Sequence, residues 1–310
     1  MEAVVNLVEV KPHDARWEEI ASAVAAEVTP RRGQGFAQRM ERRLLGYSAD
    51  HSAVAARRRN EWVGLILLTR TGQYGELSFP WVRADTEPDL AAQLIEQARA
   101  RLTTDGAAHI IVERTIVAGE ADPKAFAARG FQAFWRRLMA RSLRNWRLTV
   151  TLPAGYRLGD WDPDWVTDVG QVIFEANQGT VDAVLYPRFF GGSVRQCTDA
   201  LREILAGALG RIDPHATCVL VSGSRACGVC LVGVIGDQHG IIELAVAKEH
   251  QGRRLGRALM VHALSRLVEE GVERVVLAVS ADNTRAVQLY DRLGFAETTQ
   301  FPVCVWRANR

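Results

Sequence analysis

Lysine is scarce in this 310-residue chain. It occurs only as Lys11, Lys124 and Lys248, so nearly all the positive charge is arginine. Lys+Arg 38 stand against Asp+Glu 36, a net charge of +2. A chain so balanced has no polyanion-binding character, and no nucleic-acid partner is expected. The five cysteines (Cys197, Cys218, Cys227, Cys230, Cys304) are odd in number and all in the second half. That pattern argues against a secreted disulfide scaffold and for a reducing compartment. No apolar run reaches the roughly 18 residues of a membrane span, so no membrane partner is expected. The opening stretch MEAVVNLVEVKPHDARWEE lacks the apolar core of a signal peptide, which makes cytoplasmic the expected location. What is present is ordinary globular material, 48% hydrophobic and 24% charged. At this length two domains are expected.

Hydrophobic patterning places the elements. In the first half, Val4 to Val10, VGLILL (Val63 to Leu68), ELSFPWV (Glu76 to Val82) and HIIVERT (His109 to Thr115) read as strands, with Pro80 marking a bulge or an edge. Trp17 to Val28 and Pro88 to Leu102 have helical period, and a short helix from Lys124 ends at Gly130. FQAFWRRLMARSL alternates as a strand. The second half repeats this order. Pro163 to Ala176 and Ser193 to Leu205 read as helices, and Ala216 to Gly223 with Ala226 to Ile235 as a hairpin. Gly240 to Val246 and Arg274 to Ser280 read as strands, with a long helix from Leu255 between them. Thr284 to Leu293 reads as a helix closed by Gly294, and a last strand runs from Val303 to Arg307. RGF at Arg129 to Phe131 and LGF at Leu293 to Phe295 mark corresponding points, so the chain reads as a duplicated pair. The expected division is 1–147 and 148–310, with a linker near Leu143 to Gly155.

Two segments carry chemistry. In AVAKEHQGRRLGRALMVHAL a strand enters a glycine-bearing turn that opens directly into a helix. Free amides and the positive dipole end at such a start cradle phosphate. Arg253, Arg254 and Arg257 can add charge-assisted contacts. The loop is neither a P-loop nor a dinucleotide fingerprint, and alone it also fits a glycine-assisted tight turn. The second segment is ADNTRAVQLYDRLGF, with Asn283, Ala286, Leu289, Tyr290, Gly294 and Phe295 at fixed offsets.

Together these segments resemble the GNAT superfamily of acyl-CoA N-acyltransferases over residues 216–300. The family loop Q/R-x-x-G-x-G/A stands here as Gln251-Gly252-Arg253-Arg254-Leu255-Gly256, with Arg254 in place of the inner glycine. N-x-x-A-x-x-L-Y-x-x-x-G-F matches at every marked position from Asn283 to Phe295. The resemblance implies two GNAT-like α/β (α+β) domains, each a mixed, mostly antiparallel sheet flanked by helices. It implies acetyl-CoA as cosubstrate, held by Leu244, Ala245, Val246, the loop from Gln251 to Arg257, Asn283, Ala286 and Tyr290. It makes Tyr290 the general acid for the leaving thiolate. The first half resembles a degenerate copy: VRADTEPDLAAQL puts Asp85, Glu87 and Asp89 where the loop should be, and Phe126 stands at the tyrosine position. Three carboxylates repel pyrophosphate, so residues 1–147 are expected to be non-catalytic. In length and layout the chain is similar to tandem enzymes of the mycothiol synthase kind.

Acyl transfer to an amine needs a base, because an ammonium is not nucleophilic. Glu243 is the one carboxylate in GIIELAV and reads either as that base, acting through water, or as a polar residue on the open face of a strand. An amide near Ala245 or Val246 is the expected oxyanion donor. Asn177, Asp182 and Tyr186 lie in a Gly/Pro-punctuated stretch that suits an acceptor site. Asp182 either pairs a cationic amine or caps a helix from Ala183 to Phe190, the cap being the favoured reading. Cys227-Gly-Val-Cys230 is a lone CxxC on a strand whose thiols should face opposite ways, so it is no zinc site. Cys197 reads as a buried thiol and His262 as a boundary histidine. The expected activity is acetyl transfer from acetyl-CoA to a primary amine of a small molecule by direct attack, without metal, in a monomer or homodimer. Protein N-terminal or lysine acetylation and a non-catalytic acyl-CoA-binding regulatory module are the alternatives.

Overall fold

A computed structural model describes residues 5–87, 89–113, 123–235 and 238–308. Val4, Pro88, Arg114 and Thr115, each part of an expected strand or helix, lie outside them. The chain forms two compact units, one of residues up to Phe134 together with those from Pro302 onward, the other Trp135–Phe301.

The first unit runs β1 (Val5–Val10), α1 (Arg16–Arg32), α2 (Gln34–Tyr47), β2 (Ser52–Arg58), β3 (Glu61–Thr71), β4 (Tyr74–Val82), α3 (Leu90–Thr104), β5 (His109–Glu113) and α4 (Pro123–Ala127). Its strands lie in that order, antiparallel except for the parallel β4–β5 pair. β3 is apolar from Trp62 to Leu68 because both of its faces are covered there. Leu65 and Leu67 pack with Trp17 and Ile20 of α1, and Ile66 and Leu68 with Leu94 and Ile95 of α3. Pro80 sits in a bulge of β4, where the register with β3 shifts between Leu65 and Leu67.

The second unit runs from β6 (Gln132–Ser142), which begins at the boundary, through β7 (Tyr156–Asp160), α5 (Val166–Asn177), α6 (Val181–Leu185), α7 (Val194–Leu205), β8 (Arg211–Ile212), β9 (Cys218–Ser222), β10 (Arg225–Ile235) and β11 (Gln238–Val246). It continues with α8 (Leu255–Glu269), β12 (Arg274–Ser280), α9 (Thr284–Arg292) and β13 (Ala296–Arg307), the last belonging to this unit only as far as Phe301. The sheet order is β6-β12-β11-β10-β9-β7, antiparallel except for β11–β12. α8 and α9 cover one face through Leu259, Leu264 and Val287, while α5 and α7 cover the other through Val172, Ile173 and Leu201. The mixed, mostly antiparallel α/β fold is the expected one.

The division differs from 147/148 in two ways, both caused by strand pairing. Residues 136–142 of β6 pair with residues 274–280 of β12, and residues 303–307 of β13 pair with residues 109–113 of β5. The stretch expected to be a linker is packed. Leu143 and Trp146 are buried in the core of the second unit, and Trp146 Nε1 donates to Ser265 Oγ at 3.0 Å.

Candidate active site

The loop at the start of α8 has the backbone that its sequence suggested. Gly252 has φ 81°, and Arg254 takes a left-handed conformation (φ 62°, ψ 16°) as the residue capping α8. Arg254 is the position where the motif has glycine, and the left-handed turn explains why glycine suits it. The first helical bond runs from Ala258 N–H to Arg254 C=O at 3.2 Å, so the amides of Leu255, Gly256 and Arg257 precede the ladder and point out of the helix start. Gln251 anchors the loop from both ends: its Nε2 donates to Val246 O at 2.8 Å, and its Oε1 accepts from Arg285 at 2.6 Å. Arg253 donates to the Tyr156 hydroxyl at 2.8 Å, and that hydroxyl is 2.9 Å from His250 Nδ1.

β11 and β12 pair only from His239 to Ile241 against Val275 to Leu277. Beyond that point β12 stays with β6 while β11 stays with β10, so the two parallel strands part. A bulge lies at the parting: Val232 faces Ile241 but Leu231 faces Glu243, leaving Ile242 as the extra residue. The bulge switches faces. Ile241 packs with the α8–α9 core, whereas Ile242 and Ala245 pack with the α5–α7 core. Glu243, two residues from Ala245, is thereby turned toward the C-terminal end of α5. Ala247 N–H donates to Cys227 O at 2.9 Å. Backbone alternation then directs the Ala245 amide to β10 as well, and the Leu244 and Val246 amides to the parted side. Of the Ala245 and Val246 amides, that of Val246 is therefore the one turned away from β10.

Burial raises the Glu243 carboxyl to about 8, and the neighbouring Asp182 charge adds to this. Hydrogen bonds from the Asn177 side chain and the Leu244 amide, with the Arg136 charge, pull partly the other way. Tyr290 is 8% exposed and rests against Phe295, ring centroids 5.9 Å apart. Burial and then the Glu243 charge hold its hydroxyl protonated well above the ordinary tyrosine range. Asn283 Oδ1 accepts the Ala286 amide at 3.1 Å, so both residues form the cap of α9, the helix that carries Tyr290.

Asp182 does not cap a helix. Thr180 caps the short α6, its hydroxyl taking the Ala183 amide at 3.3 Å, and the expected helix to Phe190 is broken at Tyr186, with a separate, wider helical turn over Pro187–Gly191. The Asp182 Oδ1 atom instead accepts from Arg136 and from Ser280 Oγ, each at 2.8 Å. The Arg136 guanidinium lies 5.2 Å over the Tyr186 ring. Asn177, at the end of α5, also donates to Ile173 O at 3.0 Å. Arg136 and Ser280 escape a sequence reading because they lie on paired strands of distant sequence.

The cysteines correct one expectation. Cys227 is the extra residue of a bulge in β10, so Cys227 and Cys230 face the same core rather than opposite sides. Burial raises both thiols, Cys227 to about 11. Cys197 is buried and raised to about 11, which suits an inert core thiol.

A strand that parts from its neighbour, a helix start with free amides, and a half-buried carboxyl whose charge is felt by a buried tyrosine are the setting in which relatives matter. Residues 185–295 match the acetyltransferase (GNAT) family. The match lies within the second unit. A mycothiol acetyltransferase of Corynebacterium aurimucosum is 43% identical over 63 residues, 20% of each chain. A ribosomal protein bS18-alanine N-acetyltransferase of Escherichia coli is 34% identical over 80 residues, 26% of this chain and 54% of that enzyme. The matches thus span a fifth to about half of those relatives. Across nearly the whole chain the fold is that of a GCN5-related N-acetyltransferase from Sphaerobacter thermophilus, with TM-score 0.69 at 16% identity over 98% of this chain and 97% of that one. It is also that of a tandem GNAT protein from the clavulanic acid biosynthesis pathway, with TM-score 0.64 at 18% identity over 99% of each. The two-unit fold is thus shared with these proteins over almost its whole length.

The first unit can be compared with the second position by position. Its bulge in β4 corresponds to that of β11, and the residue after the bulge, Trp81 facing Leu65, corresponds to Glu243 facing Leu231. Trp81 is buried in an apolar core. Phe126, also buried, packs edge-on against Phe131 at 5.4 Å. Asp85 is held by Arg58 at 2.7 Å and Arg83 at 2.6 Å.

Proposed function

We propose that the second unit transfers an acetyl group from acetyl-CoA to the primary amine of a small molecule by direct attack. The observation carrying this reading is the parting of β11 from β12 beside Glu243, in line with the helix start at Leu255. The residues suit the coenzyme. Leu244 and Val246 offer backbone groups on the parted side, and the amides of Leu255, Gly256 and Arg257 suit a pyrophosphate, with Arg253, Arg254 and Arg257 nearby. Gln251, Asn283 and Ala286 keep the loop and α9 in place. When bound, acetyl-CoA supplies an activated thioester.

Glu243 takes a proton from the incoming ammonium, directly or through one water. The Val246 amide donates to the oxyanion that develops as the amine adds. Tyr290, kept protonated, gives its proton to the sulfur as the carbon–sulfur bond breaks, and recovers one from the second proton that the nitrogen sheds in becoming an amide. Once Glu243 is deprotonated, it and Asp182 against the one guanidinium, Arg136, leave one net negative charge, which suits a monocationic acceptor. Tyr186 and Asn177 frame the same place. The first unit is read as non-catalytic, because Trp81, Phe126 and Asp85 replace base, acid and anion cradle.

The similarity to an enzyme named for ribosomal-protein alanine favours a protein α-amine as the second acceptor class. Thiol release from acetyl-CoA across a panel of small amines and peptide N-termini separates the two. Turnover confined to small amines supports the first reading, and turnover confined to peptides favours the second. Coenzyme A binding without turnover, or no binding at all, overturns both.

A further inference from the structure

Away from the proposed active site, three elements of the second unit bring metal-ligating side chains together. Asp213 follows β8, His239 lies at the start of β11, and Glu270 follows α8. One ligand atom from each lies within 4.8 Å of the others. We propose that Asp213, His239 and Glu270, with His215 at the rim, bind a divalent transition-metal ion of the zinc class. It would serve as a structural clamp joining β8, β11 and α8.

The geometry carries the proposal. Asp213 is 5% exposed and rigidly set. Its amide donates to Val232 O at 2.9 Å, and its Oδ1 accepts the amides of His215 and Ala216, each at 3.1 Å. That leaves Oδ2 facing His239 Nε2 at 3.6 Å. His215 Nδ1 stands 3.6 Å from Glu270 Oε1. Both separations exceed a hydrogen bond. They are close to the roughly 3.4 Å between two ligand atoms that each sit about 2.1 Å from a tetrahedral ion. Mixed imidazole and carboxylate ligands suit zinc or cobalt rather than calcium or magnesium. The side chains of Glu270 and His215 are 30% and 43% exposed, which opens a path for the ion. The ligands are spread over residues 213 to 270, so no short spacing motif announces them.

The test uses the full chain, stripped with a chelator and titrated with zinc chloride by calorimetry and with cobalt(II) by visible absorption. One equivalent should bind, with a cobalt band of low coordination number and a higher melting temperature. Glu270→Gln, nearly isosteric, and His239→Ala should each weaken binding at least tenfold, with circular dichroism recording the fold. No stoichiometric binding to the wild-type chain overturns the site. So does wild-type affinity retained in a folded Glu270→Gln chain.

Discussion

Glu243 concentrates the chemistry of the proposed site in one titratable group. A base works when deprotonated, and burial raises this carboxyl to about 8. Hence kcat/KM should rise with pH through about 8, and Glu243→Gln should remove that limb and lower kcat/KM by about 10²-fold or more. Stability runs the opposite way. The folded state holds the proton more tightly than the unfolded chain, so Glu243 weakens the fold increasingly as pH climbs from the ordinary carboxylate range to about 8. Glu243→Gln should therefore melt higher than the wild type at pH 8, and the gap should close toward pH 4 in a calorimetric series. Asp182 is a positioning residue in this reading, because its charge helps to raise Glu243. Asp182→Asn should move the kinetic limb to lower pH, a shift that loss of packing alone would not produce. Tyr290→Phe keeps the ring against Phe295, so it should leave coenzyme affinity unchanged and lower kcat by about 10²-fold in stopped-flow thiol release.

Secondary-structure elements owe their functional directions to small irregularities. A single extra residue, Ile242, turns Glu243 to the α5 face, and another, Cys227, brings both members of the CxxC to one core. Strict alternation along a strand predicts neither, because a bulge arises from pairing with a neighbour. The turn before α8 is different. It is legible from Gln251 to Gly256, and its strain falls on Arg254 at φ 62°. Arg254→Val, which puts a β-branched residue in the left-handed region, should cost about 1–2 kcal/mol in urea unfolding, while Arg254→Gly should cost nothing or stabilise.

The whole chain is not cut where its composition changes. A fragment of residues 148–310 lacks the β6 residues that pair with β12, and it lacks the buried Leu143 and Trp146. Fully burying one such side chain contributes about 1.5–3 kcal/mol. That fragment should show a broad, low-temperature melt by circular dichroism, whereas the full chain melts cooperatively. If the first unit is the degenerate copy, calorimetry should count one coenzyme A per chain rather than two.

Periodic patterns and local motifs revealed most of the strands and helices and the turn from Gln251 to Gly256, because each depends on residues close in sequence, but they missed α2, β2 and β7. The role of Asn283 as the cap of α9 is equally local. The same reading mistook Asp182 for a cap, since its partners Arg136 and Ser280 lie 46 and 98 residues away. What the residues determine by themselves is the backbone tendency of each segment and the chemistry each side chain can do. Which strands pair, which face Glu243 takes and how far its carboxyl is desolvated depend on packing between remote segments, so only the tertiary structure decided them.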